Sequence, residues 1–508
     1  MDYRQMIILV VFILYFSAII GMAIRFRKSK DLTDYFLADR KLNTFVGALS
    51  PQTSDMSGWM LMGLPGAIFL MGAGYAWIAI GLTAGIILKW LFVAKRLRRY
   101  SIVANNAITL PQYLENRFHD KSHVLKFTAA IFFAVFFTVY AAASFVAGGR
   151  LLNALFGLNY TYAVLIVAAL IVAYTFIGGL KAISWTDTIQ GMMMLAAVLI
   201  LPIIAIALLG GWSNVTNAIE YQGQAGFFNL MYSEGARIRP VTIISNLAWG
   251  LGYFGMPHIL IKLMANKSEK NMTKSSVIAI SWVLLALGSA VMVGFVGRAF
   301  IPELMYGGEE TVFIQMVQRI FVDQGIILMV IFGGLFLCGI FAAIKSTADS
   351  QLLVASSAVT GDMYKTINKK ATDKHLVWFS RFSVLAIAVV ALIFALNPDA
   401  GVMELVRHAW AGFGAAFGPL VILSLYWKRT NRAGAIAGVI VGGLTVIIWS
   451  YIPLVDGATL GVATSLYSLV PGFFLALTAI VVGSLATKKP SDAILAEFET
   501  SKKPLIED

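Results

Sequence analysis

The sequence is poor in cysteine, histidine and charged residues, and each shortage excludes a class of protein. Its one cysteine, Cys338, allows no disulfide within the chain and no cysteine-based metal site. Its five histidines are not spaced as metal ligands, and no nucleophile–base pair stands at a usable spacing, so an enzyme is not expected. Only 13% of the 508 residues are charged and 59% are hydrophobic, a balance that excludes a soluble globular protein.

Long apolar runs make up most of the chain, and about 20 such residues are enough to cross a bilayer. We predict an all-α polytopic membrane protein with thirteen transmembrane helices, numbered here as spans one to thirteen. The predicted spans are 6–25, 44–70, 73–94, 125–154, 160–179, 186–210, 240–262, 275–300, 323–357, 377–396, 403–427, 433–452 and 464–486.

The basic residues lie mainly in alternate loops, although the net charge of the whole chain is +13. Loops after odd-numbered spans, such as 25–30 and 95–99, are rich in Lys and Arg, whereas loops after even-numbered spans hold few. Cytoplasmic loops carry this excess of positive charge, so we predict an outer N-terminus and a cytoplasmic C-terminus. The tail at 487–508 is too short to fold alone, which argues against a fused sensor domain.

Span two contains residues that are energetically unfavourable in the middle of a membrane helix. Pro51, Asp55 and Gly58 lie in its middle. A carboxylate at bilayer depth costs on the order of 3 kcal/mol, and proline removes a backbone donor. We therefore predict a discontinuous helix whose freed carbonyl groups face a cavity instead of lipid.

Span seven has a second break, because three glycines and Pro257 fall within 250–257. Trp249 and Tyr253 are four residues apart and share a helix face, which suits a small amphipathic solute better than an interfacial aromatic belt at this depth. Breaks five helices apart indicate an inverted five-plus-five repeat. The predicted units are a leading helix and loop, two repeats, two trailing helices and a tail, at 1–43, 44–210, 211–427, 428–486 and 487–508.

Span nine contains the third polar segment. Ala343, Ser346 and Thr347 share one helix face, and with carbonyls from a broken helix they would form an all-oxygen site for a small hard cation. Alternatively, the hydroxyls bond back to carbonyls four residues earlier. Lys345 and Asp349 are spaced to pair. They form either a neutralised pair on an inner water path or a proton-coupling device whose ammonium replaces sodium.

Two further polar residues lie within predicted spans. Asp187 opens span six, where it serves either as a helix N-cap or in ion release. Tyr140 lies in the middle of span four, where its hydroxyl needs a partner.

Together these motifs resemble one family. The segments at 54–59 (Ser-Asp-Met-Ser-Gly-Trp), 175–179, 249–255, 346–347 and 409–419 are similar to the sodium:solute symporter family, over about residues 30–485. The stretches at 54–66 and 409–419 resemble its proline-transporting branch most closely. The resemblance implies a leucine-transporter-type core and import of L-proline by sodium symport, through alternating access, in a bacterial inner or plasma membrane.

The resemblance also implies roles for individual residues. The sodium site would use backbone oxygens of Thr53 and Met56, the carbonyl of Ala343 and the hydroxyls of Ser346 and Thr347, with Asp55 in support. The proline site would be formed or bordered by Ser57, Gly58, Trp59, Tyr140, Trp249 and Tyr253, and the cytoplasmic path would include Arg40 and Asp187. Sodium, L-proline and membrane lipid are the expected partners, without nucleic acid or an obligate protein partner.

Two other functions stay open. Lys345 stands where the family usually has an apolar residue, so a proton-coupled or sodium-independent carrier of proline or another amino acid that uses Lys345 is the first alternative. A transport-derived sensor or a passive channel is the second.

Overall fold

The computed structural model describes residues 2–26, 31–223, 226–304, 308–398, 401–455 and 457–504, and most of them are helical. The α-helices are α1 (Tyr3–Arg25), α2 (Leu32–Leu37), α3 (Thr44–Thr53), α4 (Leu64–Met71), α5 (Trp77–Leu88), α6 (Lys95–Val103), α7 (Leu110–Arg117), α8 (Val124–Phe156), α9 (Tyr160–Ile177), α10 (Leu180–Leu208), α11 (Trp212–Tyr221), α12 (Pro240–Leu247), α13 (Pro257–Met264), α14 (Glu269–Phe300), α15 (Val312–Val317), α16 (Ile327–Ser357), α17 (Lys365–Ile367), α18 (Asp373–Ala395), α19 (Val402–Tyr426), α20 (Arg432–Tyr451), α21 (Leu460–Thr464), α22 (Leu469–Ala486) and α23 (Asp492–Lys502).

Shorter elements join these helices. The 3-10 turns are Ala38–Arg40, Ala73–Ala76, Ala248–Phe254 and Glu309–Thr311. The π-helical segments are Trp59–Gly63, Lys89–Ala94, Gln318–Val322 and Ala358–Tyr364. Two small antiparallel hairpins pair β1 (Tyr232–Ser233) with β2 (Ala236–Arg237) and β3 (Pro453–Val455) with β4 (Ala458–Thr459).

The described part of the chain has eleven helices that are long and apolar enough to cross a membrane, and they match every predicted span except two and seven. Spans two and seven are each interrupted, as predicted. Neither piece of an interrupted helix is long enough to cross alone, so the total of thirteen crossings stays a prediction.

The first break follows α3, whose start is capped by the Asn43 side chain at 2.9 Å from the Val46 amide. Pro51 lies inside the last turns of α3, and α3 ends at Thr53. The chain then turns through residues 54–58, where the Ser57 amide donates to the Asp55 carbonyl at 2.9 Å, before a π-helical segment leads into α4. The predicted interruption is thus a local consequence of proline and short polar residues.

The second break separates α12 from α13. A 3-10 turn (Ala248–Phe254) follows α12, and α13 restarts with Pro257 at its first position, where a missing N–H has no cost. Trp249 and Tyr253 lie in this turn and are 3% and 0% exposed. Their burial shows that the interfacial aromatic belt was the wrong alternative.

Five predicted spans begin four or more residues from their observed starts. Spans eight and ten begin earlier than predicted, at Glu269 in place of 275 and at Asp373 in place of 377. The other three have a local cause. Span six begins at Leu180 in place of 186, because it starts directly after Gly178 and Gly179. Span nine begins at Ile327 in place of 323, after a left-handed Gly325 with φ of 69°. Span thirteen begins at Leu469 in place of 464, because the left-handed Ser465 ends the short α21 first.

The helix α16 lies at the centre of the bundle. It contacts α1, α8, α10 and α18, and nearly all of its residues from Phe336 to Ser357 are buried. The helices α1 and α22 lie at the periphery, with exposed apolar side chains such as Leu14 and Phe474. A polar side chain on α16 therefore faces other helices and not lipid.

Candidate functional site

The predicted ion site forms where the end of α3 meets the middle of α16. The Ser346 hydroxyl lies 3.1 Å from the Thr53 carbonyl oxygen and 3.1 Å from the Ala343 carbonyl oxygen. The Thr347 hydroxyl is fully buried and has no hydrogen-bond partner among the described residues. Three of the five predicted ligand residues, Thr53, Ala343 and Ser346, thus meet at one place. Thr347 follows Ser346 in the chain, and Met56 is buried within the first break.

These atoms are of the kind that a small hard cation binds, namely carbonyl and hydroxyl oxygens. The alternative, back-bonding within the helix, is seen in part: the Ser346 hydroxyl reaches the Ala343 carbonyl, three residues earlier in place of four, and also the Thr53 carbonyl on α3. The Thr347 hydroxyl makes no such bond among the described residues. The Thr53 hydroxyl lies against Gly191 of α10, where an added Cβ would collide with it. A buried hydroxyl without a partner costs about 1–3 kcal/mol, and a cation beside Thr347 would remove that cost.

Asp55 links the two interrupted helices. Its carboxylate accepts a hydrogen bond from the Tyr253 hydroxyl in the second break, and its backbone carbonyl accepts one from the Trp59 indole at 3.0 Å. The Lys89 ammonium is fully buried and lies 4.9 Å from the centre of the Tyr253 ring. Asp55 therefore holds the first break against the second, and the buried Lys89 ammonium lies near the ring of the shared tyrosine.

Trp249 and Tyr253 contact a third aromatic residue, Trp410 of α19. Its ring centre lies 6.3 Å from that of Trp249 and 5.0 Å from that of Tyr253. The Trp410 indole donates to the Trp249 carbonyl at 2.8 Å, and any Cβ at Gly252 would collide with the indole. Trp249 and Tyr253 thus both contact Trp410 from within the 3-10 turn, and glycine is required at position 252 by this close approach.

A cavity of about 740 Å³ opens beside Trp249, at the end of the molecule where α12 and α19 begin. Hydroxyl, amide and guanidinium side chains line it, among them Thr242, Ser245, Asn246 and Arg407. The cavity is therefore lined by polar side chains and reaches Trp249 in the second break.

Ser57, Gly58 and Tyr140 meet beside the first break. Gly58 lies so close to α8 that an added Cβ would be 2.7 Å from the Cβ of Ala147. The Tyr140 hydroxyl is fully buried next to Ser57 and Trp59, without a hydrogen bond of ordinary geometry. The fold thus brings the predicted solute-binding residues to both sides of the contact between Asp55 and Tyr253.

Asp187 is not a helix cap, so that predicted alternative is wrong. The helix α10 begins at Leu180, and Asp187 lies two turns inside it, fully buried. Its carboxylate accepts hydrogen bonds from the Lys262 ammonium at 2.6 Å and from the Ser50 hydroxyl at 2.9 Å. Asp187 therefore joins α10 to both interrupted helices.

Lys345 and Asp349 form the predicted pair within α16. Asp349 also accepts a hydrogen bond from the Thr175 hydroxyl of α9 at 2.7 Å. The Lys345 ammonium lies 3.1 Å from the centre of the Tyr174 ring, so it is held by both a carboxylate and an aromatic face. The pair is directed toward α9, whereas Ser346 contacts α3.

Arg40 lies outside the spans, in the 3-10 turn before α3, with a left-handed φ of 54°. Its guanidinium donates to the Met264 carbonyl at 2.7 Å, the Ala107 carbonyl at 2.7 Å and the Ser101 hydroxyl at 3.0 Å. Burial, together with the nearby Arg98, lowers the pKa of Arg40 to about 10, so it stays charged at neutral pH. Arg40 therefore ties this turn to the end of α13.

Three fully buried ionisable residues near the breaks are absent from the predicted set: Lys89, His258 and Lys262. Lys89 and Lys262 carry the signal that identified Asp55, an ionisable side chain within an apolar run. His258 follows Pro257 directly, and its ring lies 6.4 Å from that of Tyr140. The same rule, applied to every ionisable residue in a span, would have included both lysines.

Two interrupted helices that face each other across buried polar atoms define a secondary transporter with an inverted-repeat core. Solved structures agree on the fold. A Na+-coupled sialic acid symporter in a substrate-bound outward-open state has a TM-score of 0.78 at 18% identity, over 96% of this chain and 99% of that one. The nucleobase-cation-symport transporter Mhp1 in a closed conformation has a TM-score of 0.53 at 15% identity, over 93% and 100%.

Sequence comparison places the chain more narrowly. The model of the sodium:solute symporter family matches residues 35–442. The chain is 44% identical to the sodium/proline symporter of Escherichia coli (strain K12), over 96% of this chain and 95% of that protein. It is 41% identical to the osmoregulated proline transporter OpuE of Bacillus subtilis (strain 168), over 94% of each. The chain belongs to the sodium:solute symporter family.

Proposed function

We propose that this protein imports L-proline together with sodium by alternating access. The contact of Ser346 with the Thr53 carbonyl, beside the unpartnered Thr347 hydroxyl, is the observation that carries the sodium assignment. Relatives named as proline transporters, 41–44% identical over more than nine-tenths of the chain, support the choice of solute.

In the proposed mechanism, sodium binds between α3 and α16 and orders the first break. The ordered break then favours solute binding, a reciprocal coupling that is typically about 1–3 kcal/mol. We assign proline binding to the residues around both breaks, whose aromatic rings suit an apolar pyrrolidine ring. They are Ser57, Gly58, Trp59, Tyr140, Trp249 and Tyr253, and the sodium ligands are Thr53, Met56, Ala343, Ser346 and Thr347, with Asp55 in support.

The rival assignment, proton coupling through Lys345, has less support from the geometry. The Lys345 ammonium is engaged by Asp349 and by the Tyr174 ring, and these contacts lie on the side of α16 that meets α9. A lysine that replaces sodium would need to approach Thr53 and Ser346 instead. We therefore assign Lys345 and Asp349 to the wall of the inner path.

We place the protein in a bacterial inner or plasma membrane, with its N-terminus outside and its C-terminus in the cytoplasm. The alternation of basic and basic-poor loops supports this orientation. It puts the cavity beside Trp249 on the outer side, and Asp187, Lys262 and Arg40 on the inner side. The solute passes chemically unchanged, so no enzymatic step is assigned.

Purified protein in proteoliposomes tests the proposal with labelled proline under a sodium gradient, a proton gradient or neither. We expect accumulation only with the sodium gradient, and the recovered label should still be proline. Equal accumulation without sodium would favour the proton-coupled or sodium-independent carrier. Unitary currents without accumulation against a gradient would favour a channel.

A further inference from the structure

Two layers of oxygen atoms follow each other along the contact between α3 and α16. The first layer is the proposed sodium site at Thr53, Ser346 and Thr347. The second layer contains the Ser50 carbonyl and the Ser350 hydroxyl, which lie about one helical turn further toward the start of α3. The two layers are therefore stacked along one line between the same two helices.

The Lys262 ammonium fills the second layer. It lies 2.6 Å from the Asp187 carboxylate, 2.9 Å from the Ser350 hydroxyl and 3.3 Å from the Ser50 carbonyl. Lys262 and Asp187 are both 0% exposed. The ammonium thus takes the kind of oxygen shell that a free monovalent cation would take, and it joins α13 to α3, α10 and α16.

This layer lies on the side of the sodium site that is opposite the cavity beside Trp249. Lys262 belongs to the last turn of α13, whose end is held by Arg40 through the Met264 carbonyl. An ion that moves from the first layer along the contact of α3 and α16, away from the cavity, meets the Lys262 ammonium next.

We infer that Lys262 is a tethered cation that closes the inner end of the ion path, and that sodium leaves only after the ammonium withdraws from Asp187 and Ser350. The inference rests on the proposed sodium transport and assigns its inner closure. Withdrawal separates α13 from α10 and α16 and so opens the inner path. While the ammonium is in place, its charge excludes a second cation from this layer.

A cysteine reporter tests this closure. Val354 lies one turn beyond Ser350 on α16 and is 4% exposed, so Val354→Cys in a Cys338→Ala background reports opening of the inner path. The rate of alkylation by a small maleimide is measured on the full chain in nanodiscs, where both faces are accessible. Neither proline nor uptake is needed, so this result is independent of the uptake assay that decides the proposed function.

Two matched double variants are compared with this reporter. Lys262→Met/Asp187→Asn and Lys345→Met/Asp349→Asn each remove one buried ion pair without leaving an unpaired charge. We expect the first to raise the alkylation rate at least about tenfold and the second at most about twofold, because only the first pair joins separate helices. Lys262→Arg should keep the rate of the parent.

Equal rates in the two double variants would overturn the inference. If the Lys262→Met/Asp187→Asn protein is not recovered in folded form, Ser350→Ala carries the test, since it removes one of the three contacts of the ammonium. We expect about a threefold increase in alkylation from Ser350→Ala, in line with the modest value of a single hydrogen bond. An unchanged rate would contradict the proposed closure.

Discussion

Two lysine–aspartate pairs are buried near the ion site, and they differ in what they connect. Lys345 and Asp349 both belong to α16, four residues apart. Lys262 belongs to α13 and Asp187 to α10, and the two residues are 75 positions apart in the chain. A pair within one helix moves with that helix as a unit, whereas a pair between helices must break if those helices separate.

The difference shows that burial and charge alone do not decide which helices a buried ion pair connects. Both lysines are at most 2% exposed, and both are matched by a carboxylate. Yet the pair of Lys345 and Asp349 lies within α16, and Asp349 is held against α9 by a hydrogen bond from Thr175. Lys262 connects both interrupted helices, so under the proposed closure its pair is the one that breaks when the inner path opens.

The single substitution Lys262→Met should have the largest effect. It leaves the Asp187 carboxylate buried with only the Ser50 hydroxyl, and such a loss costs about 3–5 kcal/mol of stability. We expect proline uptake to fall by about a hundredfold or more, measured as the initial rate per folded protein in proteoliposomes. Lys262→Arg is the control and should keep most of the uptake. Substantial uptake by Lys262→Met would end the distinction between the two pairs.

Thr347→Ala should have the next largest effect. It tests whether sodium binds at the proposed site on α16. Removal of one hydroxyl ligand should raise the half-saturating sodium concentration about tenfold, the equivalent of a charge-assisted contact. Sodium dependence of uptake at fixed proline measures this change, with Thr347→Ser as a control that keeps the oxygen. An unaltered sodium dependence would place the ion elsewhere.

Lys345→Met/Asp349→Asn should have a smaller effect. The double variant removes the pair without stranding a charge, so uptake per folded protein should fall about threefold at most. Its sodium dependence should match that of the parent, and a proton gradient should drive no accumulation in either protein. Loss of a proton-driven component on this substitution would restore Lys345 as the coupling residue.

Arg40→Lys should have the smallest effect. This substitution tests whether the inner path is closed by Lys262 alone or by Lys262 together with Arg40. Lysine keeps the charge but cannot reproduce the separate contacts of the guanidinium with Met264, Ala107 and Ser101. We expect uptake to fall about two- to threefold, because each lost hydrogen bond is worth about 1 kcal/mol or less. Initial rates of uptake measure the change, and a loss as large as that of Lys262→Met would mean that closure depends on both residues.

The fold was predictable because its main signals are local. Apolar runs of bilayer length predict spans, and proline, glycine and short polar residues predict breaks wherever they interrupt such a run. A contact of Ser346 with carbonyls of a broken helix was also predictable, whereas the choice of Thr53 came from the resemblance to the symporter family. Boundaries such as the start of span six at Leu180 were missed, because Asp187 resembles a cap when its partner is unknown.

The sequence by itself determined that this chain is helical, lies in a membrane and breaks two of its helices, because these properties depend on residues close together in the chain. Only the tertiary structure decided which charge of one helix meets which charge of another. Asp187 could have capped its own helix or faced water, and the position of Lys262 in an apolar run did not say which carboxylate it meets. Their pairing at 2.6 Å depends on how α10, α13 and α16 pack together, and helix packing brings together residues that no local pattern connects.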